Sequence, residues 1–350
     1  MHRGKIGVLI ANVGSPLSPR VRDVRSYLHR FLMDKKILPL PWFFRFCLVY
    51  GYIVPLRVRE VAKRYKEIWT PAGAPLVATT QAFVEGLQQE LGDTYLVRAG
   101  MVLGAPSIES GMEDLWGQCD RILFLPMFPQ YADASTGAVL LQFFRYLSRK
   151  ETTFFPEIHT MPAFYGQPFY VEAVVELLTA FYQTADYEHL LFSYHGLPIA
   201  ALRSSVAEKG PCYRRQCVET TEKFAKQMQL QVDSYSICFQ SRLGRALWTQ
   251  PSAEEALLAL YDRGIRRVAM VCPGFAVDCL ETQMEIGIEL ADWWKKQGGE
   301  SLTLFPCLNS RLFWMQQVAA WIKGGTPLDS SRSATLKCAP ICEVSPICGR

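Results

Sequence analysis

Short apolar segments alternate with longer amphipathic segments over most of the chain. The apolar runs lack the alternation of half-exposed strands and are bounded by Gly, Pro, Asp or Asn, which is typical of buried parallel strands. They cover residues 5–12, 95–101, 121–128, 189–194, 234–239, 268–272 and 302–307. Helical patterns lie between them, at residues 82–91, 108–118, 171–184, 218–228, 253–263 and 280–297. The repeated order of strand and helix predicts an α/β fold with parallel sheets, and the number of strands favours two lobes over one wide sheet.

Two stretches of the chain resemble each other. Residues 121–128 lead into the polar segment 132–137, and residues 267–275 lead into the polar segment 278–282. Both read as strand, Pro-containing turn, polar loop and helix, although a chance similarity would look the same. Such units would present matching polar loops at the carboxyl ends of their strands, where open α/β sheets bind ligands.

Two segments depart from the alternating pattern. Residues 37–56 are almost entirely apolar, with three prolines and Arg45 as the one charged residue. Prolines interrupt this segment, and it is too short to cross a bilayer. Its pattern therefore predicts either an exposed apolar segment, here called the lip, or a buried core helix. The tail from residue 324 is rich in Ser, Thr and Pro and reads as an appendage.

Composition limits the class of protein. The 350 residues are 49% hydrophobic and 20% charged, which excludes a chain that is disordered throughout. A net charge of +4 is mild, so we expect no nucleic-acid partner. No run approaches the roughly 18 apolar residues of a membrane span, and residues 1–4 lead directly into a strand, so we expect no signal peptide and a cytoplasmic location. The eleven cysteines are then expected to be thiols or metal ligands.

A histidine ends one of the predicted strands. His195 follows the apolar run 189–194 and is followed by Gly196 and Pro198. An imidazole at the carboxyl end of a parallel strand, with a glycine beside it to admit a ligand, is well placed for proton transfer or metal binding. A structural histidine is the alternative.

Three carboxylates are spaced to share one helical face. If a helix begins near Asp278, that residue is its cap, and Glu281 and Glu285 follow at three- and four-residue intervals. Like charges so close together favour a divalent cation or a proton-rich substrate among them. The alternative is a capping box with a solvated acidic face. Nucleotide-binding and serine-hydrolase motifs are absent from the sequence.

Several motifs together resemble one enzyme family. Residues 190–198 (LLFSYHGLP) are similar to the signature of the ferrochelatases, which insert ferrous iron into a porphyrin. The other matching motifs follow in family order, at 62–69 (AKRYKEIW) with 73–76 (GAPL), 128–131 (FPQY) with 135–137 (STG), 212–217, 239–248 and 273–282. The resemblance runs from about residue 4 to residue 323.

The resemblance implies roles for individual residues. His195 and Glu281 would be the catalytic pair, facing each other across the porphyrin and binding the Fe²⁺ substrate transiently, with Asp278 and Glu285 as a relay for protons or metal. The residues implied to bind the porphyrin are Val13, Tyr65, Tyr131 and Trp248. The family's GxRYxxP motif is replaced at residues 100–106, where Val102 and Leu103 stand in place of Arg and Tyr. An iron-handling role for those two positions is therefore in doubt.

The resemblance also implies an organisation into two Rossmann-like lobes with a cleft between them. We expect a first lobe at residues 1–130, including the lip 37–56, and a second at 131–309 that carries the catalytic histidine and the acidic helix. A C-terminal helix at 310–323 would pack back on the first lobe. Residues 324–350 would be a cysteine-containing tail.

The three tail cysteines resemble the ligands of a [2Fe–2S] cluster in some relatives. Cys338, Cys342 and Cys348 would supply three ligands, but their spacing is longer than usual and the position of the fourth ligand is Asp133 here. Either Asp133 or another thiol, such as Cys119 or Cys212, would complete the site. Otherwise the tail is variable and holds no cluster.

The implied function is insertion of ferrous iron into protoporphyrin IX to give protohaem, the last step of haem synthesis, with no cofactor required for the chemistry. A coproporphyrin III ferrochelatase is the first alternative, and a non-catalytic tetrapyrrole or iron carrier is the second. The apolar segment 37–56 would touch a membrane surface, making the protein a peripherally associated one. The sequence does not indicate the oligomeric state.

Overall fold

The protein is described by a computed structural model covering residues 4–38, 40–182, 184–202, 212–242 and 246–324. Its strands form two four-stranded parallel sheets. The first contains β1 (Lys5–Gly14), β2 (Tyr95–Leu103), β3 (Cys119–Pro126) and β4 (Glu157–Thr160), in the order β2-β1-β3-β4. The second contains β5 (His189–His195), β6 (Tyr235–Gln240), β7 (Arg267–Val271) and β8 (Ser301–Leu304), in the order β6-β5-β7-β8.

The two sheets have the same topology, which confirms the prediction of an α/β fold with two parallel sheets. Their strands correspond one to one, so β3 occupies the place in the first sheet that β7 occupies in the second. These are the strands of the two similar sequence stretches. Each is followed by a π-helical segment, π2 (Asp133–Gly137) after β3 and π3 (Glu281–Leu290) after β7. The similarity in sequence therefore corresponds to equivalent positions in the fold.

Helices cover both faces of the sheets. In the first half of the chain they are α1 (Val21–Leu32), α2 (Trp42–Leu48), the π-helical π1 (Val49–Ile53), α3 (Val54–Ile68), α4 (Pro75–Leu91), α5 (Ile108–Leu115) and α6 (Ala138–Ser148). In the second half they are α7 (Pro168–Tyr182), α8 (Tyr213–Met228), α9 (Ala253–Asp262), α10 (Ala291–Lys296) and α11 (Leu312–Lys323), with a short 3-10 turn at Val232–Ser234.

One hydrophobic core joins the two sheets. Val8 and Ile10 of β1 belong to the same buried cluster as Leu190 and Phe192 of β5. Complete burial of such side chains contributes roughly 1.5–3 kcal/mol each relative to exposure, so the two sheets stabilise each other. The loops at their carboxyl ends are held in a fixed relation as a result.

The division between the sheets lies later in the chain than residue 130, where the sequence placed it. Strand β4 pairs in parallel with β3 and therefore belongs to the first sheet. Helix α6 also packs there, since the Phe143 ring stacks on that of Phe124 at 4.0 Å. By strand pairing, the boundary comes after Thr160. Helix α11 packs against α4 of the first half and against α7.

The apolar segment after α1 forms an exposed aromatic surface. Trp42, Phe43, Phe44 and Tyr52 are 63% to 64% exposed, which excludes the buried core helix that the sequence left open. The one charged side chain points the other way: the buried Arg45 donates hydrogen bonds to the carbonyl oxygens of residues 38 and 40, at 3.2 and 3.0 Å. The cation thus holds the segment in place while the rings face solvent.

None of the helices in the described part of the chain is long and apolar enough to cross a membrane.

Candidate functional site

A cavity lies between the two sheets, at the carboxyl ends of their strands. It encloses about 1030 Å³ of space that is partly open to solvent, and its walls are largely apolar. Both halves of the chain contribute to it. The first half supplies residues 12–15, Tyr27, Phe31, Ile37, Tyr65, Leu76, Met127, Phe128, Gln130, Ala132, Ala134 and Ser135. The second half supplies His195, Leu197, Tyr213, residues 274–277 and residues 279–281.

His195 is the last residue of β5, and its side chain lines the cavity. Its position is fixed through the main chain: the Tyr213 hydroxyl donates to the His195 carbonyl oxygen at 3.0 Å, and the next amide, of Gly196, donates to the carbonyl oxygen of Gln240 at 2.8 Å. Desolvation lowers the pKa of His195, while the negative charge of Glu281 opposes this effect. The imidazole is therefore neutral near pH 7 and able to accept a proton.

Glu281 lines the same cavity from the first residue of π3. The main chain at this residue is tied to the strand of His195 through a side chain of β6. The Gln240 amide donates to the Glu281 carbonyl oxygen at 2.8 Å, and its own Oε1 accepts from the Ser193 hydroxyl at 2.7 Å. The fold thus brings the histidine and the first glutamate to one cavity from different elements.

The segment that carries Glu281 and Glu285 is a π-helix rather than the α-helix that the sequence pattern predicts. Glu285 does not line the cavity; its carboxylate accepts a hydrogen bond from the Ser241 hydroxyl at 2.7 Å. Desolvation raises the pKa of Glu285 to about 7, repulsion from Glu281 adds to the rise, and the bond from Ser241 counteracts it. Glu285 can therefore exchange a proton near neutral pH. π-Helical segments occur frequently at functional sites.

Asp278 is buried away from the cavity. Its carboxylate accepts hydrogen bonds from the Thr282 hydroxyl at 2.9 Å, from the Asn309 side-chain amide at 2.6 Å and from the Cys307 main-chain amide at 3.3 Å. These bonds connect the start of π3 to the loop after β8. The expected row of three carboxylates is therefore not continuous, because the fold turns Asp278 towards a structural contact that lies 31 residues away in sequence.

The residues expected to bind a porphyrin divide into two groups. Val13 and Tyr65 line the cavity, whereas Tyr131 and Trp248 are not part of its wall. The Tyr131 hydroxyl donates to Asp133 at 3.0 Å. Trp248 packs beside Gly196: a Cβ atom on that glycine would lie 3.4 Å from the Trp248 ring and only 2.7 Å from the Gln240 carbonyl oxygen. Trp248 and Gly196 therefore determine the shape of the turn after His195 without lining the cavity.

Aromatic side chains that the sequence did not single out complete the wall. Tyr27 lies edge-on to Tyr65, with ring centroids 6.3 Å apart, and the two hydroxyl groups share a hydrogen bond. Burial raises the pKa of both phenols, and the charge of Glu281 raises it further. Phe31 follows Tyr27 by one helical turn on α1, and this four-residue spacing was the available sequence signal.

Val102 and Leu103, which replace Arg and Tyr of the family motif, do not line the cavity. Leu103 is buried at the end of β2, opposite Gly14 of β1, and Val102 packs against the core beside α5. Both side chains contribute to packing.

Only part of the suggested iron–sulfur site lies in the described part of the chain. Cys338, Cys342 and Cys348 lie outside the described part of the chain. Asp133, the suggested fourth ligand, accepts a hydrogen bond from Tyr131 and lies 3.7 Å from the Lys36 ammonium group.

The two alternative thiols lie in different parts of the fold. Cys119 is buried at the start of β3, the end of that strand remote from Asp133, and Cys212 directly precedes α8. Within the described ranges, no three His, Cys, Asp or Glu side chains are grouped so that they could hold a metal ion.

Comparisons with known proteins give a consistent result. A family model described as Ferrochelatase matches residues 5–325. The ferrochelatase of Coxiella burnetii (Dugway strain) is 36% identical over 339 residues, covering 92% of this chain and 94% of that protein. The ferrochelatase of Legionella pneumophila (Paris strain) is 37% identical over 325 residues, covering 89% and 97%.

Two solved structures share the fold at low sequence identity. SirB from Bacillus subtilis with Fe³⁺ has a TM-score of 0.53 at 16% identity, covering 93% of this chain and 97% of that one. The sirohydrochlorin chelatase SirB from Bacillus subtilis subspecies spizizenii, in complex with cobalt, has a TM-score of 0.50 at 13% identity, covering 91% and 97%.

Proposed function

Because this chain belongs to the ferrochelatase family of metal chelatases, which insert a metal ion into a tetrapyrrole, we propose that it inserts ferrous iron into protoporphyrin IX to give protohaem. The observation that carries this proposal is the placement of His195 and Glu281 on one cavity, from β5 and π3. A free porphyrin loses two pyrrole protons as the metal enters, so the reaction needs a proton acceptor beside the ring and a route for protons to leave.

In this proposal His195 accepts a pyrrole proton. Its lowered pKa supports the role, because only the neutral imidazole has a free lone pair for the proton or for a brief contact with the incoming iron. The two hydrogen bonds to the main chain around His195 keep the imidazole at the cavity wall. An imidazole that is already in position lowers the free-energy barrier of proton transfer, because the protein does not have to rearrange during the reaction.

Glu281 acts as the second catalytic group, and Glu285 carries protons onward. Glu285 has a pKa of about 7 and interacts electrostatically with Glu281, so it can take up and release a proton near neutral pH. Its hydrogen-bond partner Ser241 is half-buried, beside the exposed Arg242, which gives the proton a path towards water. Asp278 has no part in this relay, since its carboxylate is committed to Asn309 and Thr282.

The composition of the cavity wall supports protoporphyrin IX over coproporphyrin III. Glu281 is the one carboxylate and His195 the one basic side chain among the wall residues, and most of the others are apolar. Such a wall suits the vinyl and methyl groups of protoporphyrin better than the additional propionates of coproporphyrin, since buried charges need partners. Close walls also allow binding energy to distort the flat ring and expose its nitrogen lone pairs.

The exposed aromatic surface of α2 has a place in the same proposal. Trp42, Phe43 and Phe44 form an apolar face of the lip segment 37–56, whose first residue, Ile37, lines the cavity. We place this face against a membrane surface, where protoporphyrin partitions, so that the substrate passes between lipid and cavity.

One assay tests the proposed function. The protein is incubated under anaerobic conditions with ferrous iron and either protoporphyrin IX or coproporphyrin III, and metalloporphyrin formation is followed by absorbance and by loss of porphyrin fluorescence. We expect turnover with both, with the higher kcat/KM for protoporphyrin. A preference for coproporphyrin would contradict the substrate assignment, and binding without metalation would identify a carrier.

A further inference from the structure

An ion pair joins two segments of the cavity wall. The Lys36 ammonium group lies 3.7 Å from Asp133 Oδ1, and the two side chains are 30% and 42% exposed. Lys36 directly precedes Ile37, which lines the cavity from the lip side, and Asp133 begins the π2 segment, which lines it through Ser135. The pair therefore lies at the rim, where cavity meets solvent.

The local structure holds both partners at this place. Asp34 closes the turn after α1: its carboxylate accepts from the Lys36 main-chain amide at 2.8 Å, and its carbonyl oxygen accepts from the Ile37 amide at 3.1 Å. On the other side, Asp133 Oδ1 accepts from the Tyr131 hydroxyl at 3.0 Å. A Cβ atom at Gly137 would lie 3.1 Å from Lys36 Nζ and 3.2 Å from Asp133 Oδ1, so a glycine leaves room for the pair.

The ion pair between Lys36 and Asp133 is weak enough for another carboxylate to replace Asp133. Half-exposed ion pairs contribute little to stability, because water screens the charges and the side chains lose rotational freedom. A second carboxylate arriving at the rim can therefore compete with Asp133 for the ammonium group. A charge-assisted hydrogen bond between the ammonium group and the incoming carboxylate is among the stronger polar contacts when it is partly shielded from water.

The substrate in the proposed function brings such carboxylates. Protoporphyrin carries two propionates on one edge of an otherwise apolar ring, whereas the wall residues include no lysine or arginine. The apolar part of the ring matches the wall, and the propionate edge is then left at the rim. Lys36 supplies a cation there, next to the wall residue Ile37.

We propose that Lys36 exchanges Asp133 for a substrate propionate when the tetrapyrrole binds, and so sets which edge of the ring faces outward. This inference rests on the proposed function, since it takes a porphyrin as the ligand. Asp133 holds the lysine in the unliganded enzyme and competes with the substrate for it. Lys36 is thus a binding residue that determines the orientation of the ring. Asp133 lowers the affinity of Lys36 for the propionate by competing with it.

Equilibrium binding with two probes tests the exchange. Mesoporphyrin IX carries both propionates, and its dimethyl ester has the same ring without the charges, so the pair isolates the carboxylate contact. We expect Lys36→Ala to weaken binding of the diacid about threefold to tenfold and to leave the diester unchanged. Asp133→Asn should tighten binding of the diacid, because it removes the competing carboxylate. Lys36→Arg should retain most of the affinity.

The chain offers a matched control. Lys35 is the preceding residue and is exposed, so Lys35→Ala makes the same change in net charge and should alter neither affinity. Unchanged diacid binding in Lys36→Ala, or equal loss of diacid and diester, would overturn the exchange. Tighter binding in Asp133→Asn that persists without Lys36 would also overturn it. Failure of the proposed function is distinct, since the unaltered protein would then metallate no porphyrin.

Discussion

The side-chain amide of Gln240 donates to the main-chain carbonyl of Glu281 at 2.8 Å. The same side chain accepts from Ser193, two residues before His195 on the neighbouring strand. A buried glutamine therefore sets the spacing between the two proposed catalytic residues without touching the cavity itself. This arrangement makes Gln240 a positioning residue.

Gln240→Leu should reduce kcat at least tenfold, because the strand that ends in His195 and the start of π3 lose their connection. KM for the porphyrin should change little, since Gln240 is not part of the wall. The Glu281 carbonyl oxygen loses its donor from Gln240, which should lower the free energy of unfolding by about 1–3 kcal/mol. Steady-state kinetics and chemical denaturation measure the two effects; a porphyrin KM that rises while kcat is retained would instead indicate a role in substrate binding.

His195→Ala should abolish iron insertion while porphyrin binding survives. The imidazole is the proton acceptor in the proposed mechanism, whereas the apolar wall that binds the ring remains intact. Single-turnover metalation and fluorescence titration with protoporphyrin separate the two steps.

The same strand provides the control for this variant. His189, at the opposite end of β5, is buried, bonded to Ser236 at 2.8 Å, and has its pKa lowered to about 4 by desolvation. His189→Gln should keep turnover near that of the unaltered protein at a temperature where it is folded. Robust turnover in His195→Ala would remove that residue from the mechanism.

Glu285 should make the stability of the protein depend on pH. Its folded pKa, about 7, lies above the value of 4.5 for an unperturbed glutamate, so the folded state binds the proton more tightly. Stability from this group is therefore complete below about pH 4.5 and is lost as the pH rises through 7. The difference of about 2.5 pKa units corresponds to roughly 3 kcal/mol.

Glu285→Gln should accordingly raise the free energy of unfolding at pH 8 by roughly that amount and alter it little at pH 4.5. It should also slow turnover, because the amide cannot relay a proton. As a control, Glu289→Gln removes an ion pair with Arg64 (2.8 Å) from the same π-helix; Glu289 is the smallest of the named contributions to the pKa of Glu285, so this variant should gain far less stability at pH 8. Equal effects of Glu285→Gln at both pH values would contradict a raised pKa.

The sequence predicts the parts of this fold that local pattern determines. The seven proposed strands occur within about three residues of their expected ends, because each lies in a mainly apolar run bounded by turn residues. Strand β4 was missed, since its sequence is four residues long, EIHT, and only partly buried. The π-helix at Glu281 was also missed, because residues at three- and four-residue intervals suit an α-helix equally well.

The residues of the site likewise divide into those that a sequence motif identifies and those that only the folded chain brings together. His195 and Glu281 were identified through motif resemblance and lie together on the cavity. The contacts of Asp278 with Asn309 and of Lys36 with Asp133 join residues 31 and 97 positions apart, and no local pattern specifies such pairs. Tyr27 reaches the wall only because α1 packs beside α3, which is a property of the folded chain.

The exposed aromatic surface should bind lipid. Replacing Trp42, Phe43 and Phe44 together by Ser should reduce binding to vesicles of phosphatidylcholine and phosphatidylglycerol at least tenfold in a flotation assay. Each ring contributes roughly 1.5–3 kcal/mol if it is fully removed from water. Metalation of porphyrin dispersed in detergent should be retained, since none of the three side chains lines the cavity.

Two other exposed aromatic residues test whether vesicle binding is specific to the α2 surface or common to any exposed ring. Phe154 and Phe155 are each 51% exposed in the loop before β4, where Phe155 lies edge-on to Trp116, and their joint replacement by Ser should leave vesicle binding unchanged. If both sets of replacements reduce flotation equally, the interaction is non-specific adsorption of exposed aromatic rings. If the unaltered protein fails to float with vesicles, the surface of α2 does not bind lipid, and the porphyrin reaches the cavity from solution.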